Sequence, residues 1–252
     1  MSKKIIIGNW KMNPSSQREA EDLLKSIQKT ISSNIKTNIV VCPPFVYLER
    51  LKKLSKKITL GAQNVSLEEK GAFTGEISVE MLKDLGVKYI IVGHSERRAL
   101  GESNLDINKK IKMALSFGII PVLCVGEKDR DENHEYLNFV KKQVEECLVG
   151  IVKNSIPKII IAYEPVWAVG KGSIREASSE EFHEMRIFIK KVLSDKFGTK
   201  IVEKVKILYG GSLHINDIFE FLKEDAGGFL VGRYSLDVKK FGEIIKVTEN
   251  VS

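Results

Sequence analysis

Residues 159–167 read Ile159-Ile160-Ile161-Ala162-Tyr163-Glu164-Pro165-Val166-Trp167. The run Ile159–Ala162 is apolar and mostly β-branched, short enough for a strand buried on both faces. A carboxylate and a proline then end it. Proline holds the residue before it in extended backbone, which suits Glu164 as the last residue of a strand. Working outward, the same unit recurs at Ile5–Ile7, Ile39–Val41, Ile58–Leu60, Tyr89–Val92, Ile119–Val125, Val205–Leu208 and Gly228–Val231. Amphipathic stretches lie between these runs, as in Leu23, Leu24, Ile27 and Ile31, spaced along one helix face. Ser16-Gln17-Arg18-Glu19 and Ser178-Ser179-Glu180-Glu181 each read as a capping box opening a helix. Strand and helix alternate about eight times, so the sequence predicts an α/β protein with a parallel sheet and helices outside it. That number favours closure into a (β/α)8 barrel, a single domain over residues 1–252. An open doubly wound sheet is the alternative. No G-x-G-x-x-G follows the first run, which argues against a dinucleotide domain.

Composition agrees with this frame. The chain has 252 residues, 43% hydrophobic and 29% charged, as expected of a globular protein. Cys42, Cys124 and Cys147 are odd in number and far apart, so neither a disulfide framework nor a metal-ligand spacing is visible. The apolar start is too short for a signal peptide, and no run reaches the roughly 18 residues that span a bilayer. A cytoplasmic protein with no membrane partner is the expectation. The net charge of +7 comes from lysines spread along helix faces, such as Lys52-Lys53 and Lys190-Lys191. No basic stripe with interleaved aromatics occurs, so nucleic acid is not an expected partner.

In such a barrel, chemistry gathers where the strands end. Asn9 and Lys11 follow the first run, His94 and Glu96 the fourth, Gly126-Glu127 the fifth and Glu164 the sixth. Gly210-Gly211-Ser212 follows the seventh and Gly232-Arg233 the eighth. Glycine-rich turns leading into helices offer backbone N–H groups to a phosphate. Opposite them stand a carboxylate able to take a proton and an imidazole able to polarise a carbonyl. Taken singly, a glutamate at a strand end is most often an ion-pair partner and a lysine a surface charge. Their convergence on one end of successive strands points to proton abstraction beside the carbonyl of a phosphorylated sugar, with no cofactor and no metal.

Five stretches carry a family resemblance. Gly8–Asn13, Gly71–Glu76, Gly93–Arg98, Ala162–Ala168 and Tyr209–Ser212, in this order, resemble the triosephosphate isomerases, the type family of the TIM barrel. The resemblance implies interconversion of dihydroxyacetone phosphate and glyceraldehyde 3-phosphate, in glycolysis and gluconeogenesis. It implies that Glu164 is the base, that neutral His94 donates to the carbonyl oxygen, that Lys11 stabilises negative charge on the enediolate and the substrate phosphate, that Asn9 helps orient the oxygen, and that Glu96 pairs within the site and orients its neighbours. The phosphate would lie against the amides of Gly170, Ser212, Gly232 and Arg233. Pro165, Val166 and Trp167 would form the first hinge of a lid, with Ala168, Val169, Gly170, Lys171 and Gly172 its tip. Val169 and Leu230 would desolvate Glu164. Phe73 and Thr74 would dock into the partner of a homodimer.

The sequence departs from the family pattern in three places. The second hinge, 173–177, is about two residues longer and more polar. Arg233 stands where a second glycine is common, and can present its amide without strain only at negative φ. Lys171 replaces a small polar residue. Two other readings of the same residues are a Schiff-base lyase with Lys11 as nucleophile and a non-catalytic binding protein that keeps the barrel.

Overall fold

The apolar runs become strands because each is covered on both faces. The computed structural model describes residues 3–168 and 175–251. Its strands are β1 (Ile5–Asn9), β2 (Asn38–Cys42), β3 (Thr59–Ala62), β4 (Tyr89–Val92), β5 (Ile120–Val125), β6 (Ile160–Tyr163), β7 (Ile207–Tyr209) and β8 (Gly228–Val231). They are parallel and pair in chain order, and β8 returns to β1, with Ile5 opposite Gly228 and Gly8 opposite Val231. The sheet is therefore a closed barrel, as the repeat of strand–helix units predicts. The helices are α1 (Gln17–Thr30), α2 (Leu48–Leu54), α3 (Val79–Asp84), α4 (Ser95–Ala99), α5 (Asn104–Ser116), α6 (Glu135–Cys147), α7 (Ser179–Phe197), α8 (Thr199–Val202), α9 (Ile218–Lys223) and α10 (Val238–Asn250).

Alternation along the strands separates two cores. Ile5 and Ile7 of β1 join Val40, Ile91, Val122 and Leu208 inside the barrel. Ile6 faces the other way and joins the layer between strands and helices, with Leu24, Ile27, Phe182 and Phe241. A strand with apolar residues on both faces shows no polar alternation, which is why the runs were readable.

The boundaries differ from the sequence reading by a residue or two. β1 continues through Gly8 and Asn9 because both pair with β2, opposite Val41 and Cys42. Ile58, Ile159 and Val205 are buried but precede the pairing of β3, β6 and β7. Burial, not pairing, is what an apolar run reports. The two expected capping boxes also differ. Ser178 and Glu181 form a complete one at the start of α7. At α1 only half forms: the Ser16 side chain accepts from Glu19 N, while the Glu19 carboxylate reaches back to the amide and hydroxyl of Ser15. Among the described residues, no helix is long and apolar enough to cross a membrane.

Candidate active site

The polar residues that follow the strands meet at the C-terminal mouth of the barrel. A cavity of about 510 Å³ is lined there by Asn9, Lys11, His94, Glu96 and Glu164, with Gly210–Ser212, Leu230, Gly232 and Arg233 on its remaining walls. Glu164 directly follows β6 and is 2% exposed. Its Oε2 accepts from the Ser95 amide at 3.0 Å, and its Oε1 lies 3.4 Å from His94 Nε2. Two glycines make room for it. A Cβ on Gly126 would lie 1.8 Å from the Glu164 carbonyl oxygen, and one on Gly210 would lie 2.9 Å from its Cγ.

His94 is the N-cap residue of α4, and its Nδ1 accepts from the Glu96 amide at 3.2 Å. With Nδ1 turned to that amide, the ring presents Nε2 toward the cavity. Lys11 has φ +52, an uncommon conformation for a side-chain-bearing residue. Three bonds hold it there. Its amide donates to Asn9 Oδ1 at 3.0 Å, its carbonyl accepts from Gln63 Nε2 at 2.7 Å, and its ammonium meets Glu96 Oε1 at 2.6 Å. Burial, and then the Glu164 carboxylate beside it, push the Cys124 thiol well above its ordinary value, so this thiol stays protonated.

At the other wall, a 3₁₀ turn over Arg233–Leu236 starts directly after Gly232. The amides of Gly232 and Arg233 donate to no backbone carbonyl among the described residues. Arg233 is not one of the described non-glycine residues with positive φ, so its amide is offered without strain. The Ser212 amide, expected to face a phosphate, instead donates to the Ala168 carbonyl at 3.2 Å.

Comparison with known proteins decides the family. A family model described as triosephosphate isomerase matches residues 4–248. The chain is 44% identical to the triosephosphate isomerase of Dictyoglomus thermophilum over 251 residues, covering 98% of this chain and 100% of the relative. It is 41% identical to that of Alkaliphilus oremlandii (97% and 99% covered) and 39% identical to that of Natranaerobius thermophilus (98% and 96% covered). The chain belongs to the triosephosphate isomerase family. It is an isomerase of glycolysis, interconverting dihydroxyacetone phosphate and glyceraldehyde 3-phosphate.

Other residues singled out in the sequence are placed as follows. Pro165 precedes a 3₁₀ turn over Val166–Ala168. Val169, Gly170, Lys171 and Gly172 lie outside the described residues, as do Ser173 and Ile174. Leu230 is buried in the cavity wall. Phe73 and Thr74 are exposed on the segment between β3 and α3, away from this chain's own cavity.

Glu127 is the group to which sequence reading gave no role. Its Oε1 accepts from Tyr163 OH at 2.7 Å and Trp167 Nε1 at 2.8 Å, with Arg130 Nε at 3.3 Å. Its carbonyl accepts from the Val166 amide at 2.9 Å. It thus ties the 165–168 segment to the end of β5. The available signal was its place directly after the fifth apolar run, shared by every other residue of the site. Arg175 and Glu176 also acquire partners. The Arg175 guanidinium stacks over the Trp167 ring at 4.4 Å and meets both Glu181 oxygens at 2.8 and 2.5 Å. Glu176 Oε1 lies 2.5 Å from His214 Nε2.

Proposed function

We propose that Glu164 is the base, His94 and Lys11 the electrophilic pair, and the Gly232–Arg233 turn the phosphate site for this isomerisation. Glu164 removes a proton from the hydroxymethyl carbon of dihydroxyacetone phosphate. The C–H electrons form the enediolate double bond, and the carbonyl pair moves onto oxygen. His94 Nε2–H and the Lys11 ammonium receive that charge, aided by Asn9, while Glu96 holds Lys11 in place. Donors fixed in advance stabilise charge that appears only in the transition state. The carboxyl group then returns its proton to the neighbouring carbon, the oxygen-borne proton shifts, and glyceraldehyde 3-phosphate results. To reach substrate carbon, Glu164 gives up the Ser95 amide it holds in this structure.

What supports this reading is the 3.4 Å approach of His94 Nε2 to Glu164 Oε1 beside an ammonium, inside one cavity. The phosphate would meet the amides of Gly232, Arg233 and Gly170, with Ser212 joining once Ala168 releases its amide. Pro165–Trp167 and Ala168–Gly172 would serve as hinge and tip of a lid, with Val169 and Leu230 keeping water from the carboxylate. Glu164→Gln keeps the shape and removes the base. Turnover in a coupled assay is expected to fall by about 10³-fold, within the range of general-base catalysis. Turnover near that of the unaltered chain would refute the assignment. The lyase reading gains nothing here, because the Lys11 nitrogen is engaged by Glu96 at 2.6 Å rather than turned free toward a carbonyl carbon.

We further infer a single-domain chain that acts as a cytoplasmic homodimer. Met12 is 92% exposed beside Lys11, and Val46, Phe73 and Met81 are also exposed, an apolar set suited to burial against a second copy. Phe73 and Thr74 would reach the partner's Asn9–Lys11 region. Sedimentation at the mass of one chain would refute the dimer.

A further inference from the structure

The opposite mouth of the barrel holds a second, basic concavity. Lys4, Lys206 and Gly227 stand immediately before β1, β7 and β8, at the N-terminal ends of the strands. Arg186 and Lys190 of α7 and Lys204 after α8 complete a cavity of about 100 Å³, whose acidic lining residues are Glu203 and Asp225. Positive groups therefore outnumber negative ones in a confined space.

Two of these groups are poorly compensated. Lys4 is 7% exposed, and its ammonium donates to the Ala226 carbonyl at 2.7 Å, one acceptor for three N–H bonds. Asp225, whose charge Lys4 feels, is bound to Arg186 Nη1 at 3.1 Å. Arg186 Nε is buried with no hydrogen-bond partner. Lys206 donates to the Lys3 carbonyl. Burial lowers the pKa of Lys4; Asp225 opposes that shift and Arg186 adds to it. Burial, and then Lys4, lower that of Lys206. Solvated surface charge accounts for Lys190 and Lys204. It does not account for a buried ammonium with a single acceptor and a guanidinium nitrogen with none lining the same space, since a buried donor left without an acceptor is costly.

We propose that this concavity binds one small tetrahedral oxyanion, phosphate or sulfate, at the end of the barrel remote from the active site. The volume is far below the roughly 300 Å³ at which pockets for larger organic ligands begin, so a single ion is the fitting occupant. A tetrahedral dianion offers acceptors in several directions at once, matching donors that arrive from β1, β7 and α7. The two anion sites stand at opposite ends of the strands, about 15 Å apart along the barrel.

Phosphate is the probe, read in two ways. Inhibition of the isomerase by inorganic phosphate reports the active site alone. Calorimetric titration with phosphate at low ionic strength counts both sites. Two ions per chain are expected. Lys206→Met is expected to bind one, with the inhibition constant unchanged. Lys190→Gln/Lys204→Gln changes partly or wholly exposed side chains and so keeps the fold if Lys206→Met does not. Weakening of the second site by about tenfold is expected there, as loss of two nearby charges would produce. One ion per chain in the unaltered protein, or a second site equally tight in these variants, would overturn the proposal.

Discussion

Gly210→Ala places a methyl group against the candidate base. Gly210 does not occupy the left-handed region, so alanine can adopt its backbone conformation. The difficulty is space. The new Cβ would lie 2.9 Å from Glu164 Cγ, 3.3 Å from the Tyr163 carbonyl oxygen and 3.7 Å from Leu230 Cβ. Carbon atoms pack at about 3.5–4.0 Å, so Glu164 Cγ must move by about 0.6–1.1 Å. Glu164 is 2% exposed and Leu230 4% exposed, and the carboxylate is held by the Ser95 amide, so the shift propagates to the oxygens. Misplacing a reacting group by about 1 Å costs about 10²-fold in rate. Overpacking costs about 1–3 kcal/mol of stability. At about 2–4 °C per kcal/mol for a chain near this size, Tm should fall by roughly 2–12 °C. The turn after β8 that we propose as the phosphate site is untouched, so KM should change far less than kcat. A coupled assay of glyceraldehyde 3-phosphate conversion, run well below Tm, separates the two effects. A kcat within twofold of the unaltered enzyme would show that the position of Glu164 in this structure does not govern proton transfer.

Arg175→Ala removes the guanidinium stacked on Trp167; a loss of about 0.5–1 kcal/mol and a shifted indole emission maximum are expected, and an unchanged spectrum would sever Arg175 from Trp167. The Arg50 guanidinium hydrogen-bonded to Glu21, followed by Gln17, lowers the Glu21 pKa from 4.5 to about 2. A depressed carboxylate stabilises the fold above its unfolded pKa and loses that effect as pH falls through its folded one. The Tm difference between the unaltered chain and Arg50→Ala should therefore be present at neutral pH and shrink between pH 4.5 and about 2; a difference independent of pH would contradict the pairing. Burial raises the pKa of all three thiols, that of Cys147 to about 11, so none should react with a disulfide reagent at pH 8 until the protein unfolds.

The strands, and which residues meet at one mouth, were legible in the sequence for one physical reason. The middle of a barrel strand covered on both faces is apolar, so the first polar residues at its C-terminal end mark the mouth. Asn9, His94 and Glu164 stand at that transition and line one cavity, while the roles proposed for them came from the family resemblance. What sequence reading missed depends on partners far along the chain. Glu127 gathers Tyr163 and Trp167 with Arg130, and two of these partners lie across a helix and a strand from it. Arg175 meets Trp167 and Glu181 only once the barrel brings them together. Lys11 hides a different quantity. Nothing in Trp10-Lys11-Met12 announces positive φ, which elsewhere in this chain falls mostly on glycine. A glycine there would relax the backbone and remove the ammonium, so the strained lysine is kept by bonds from Asn9, Gln63 and Glu96. Lys4 inverts the same lesson. Lys3-Lys4 reads as a solvated start, yet closure of β8 onto β1 buries the second ammonium at the lower mouth. Local pattern therefore reports which backbone is covered. It does not report where closure buries a charge, as it does at Lys4.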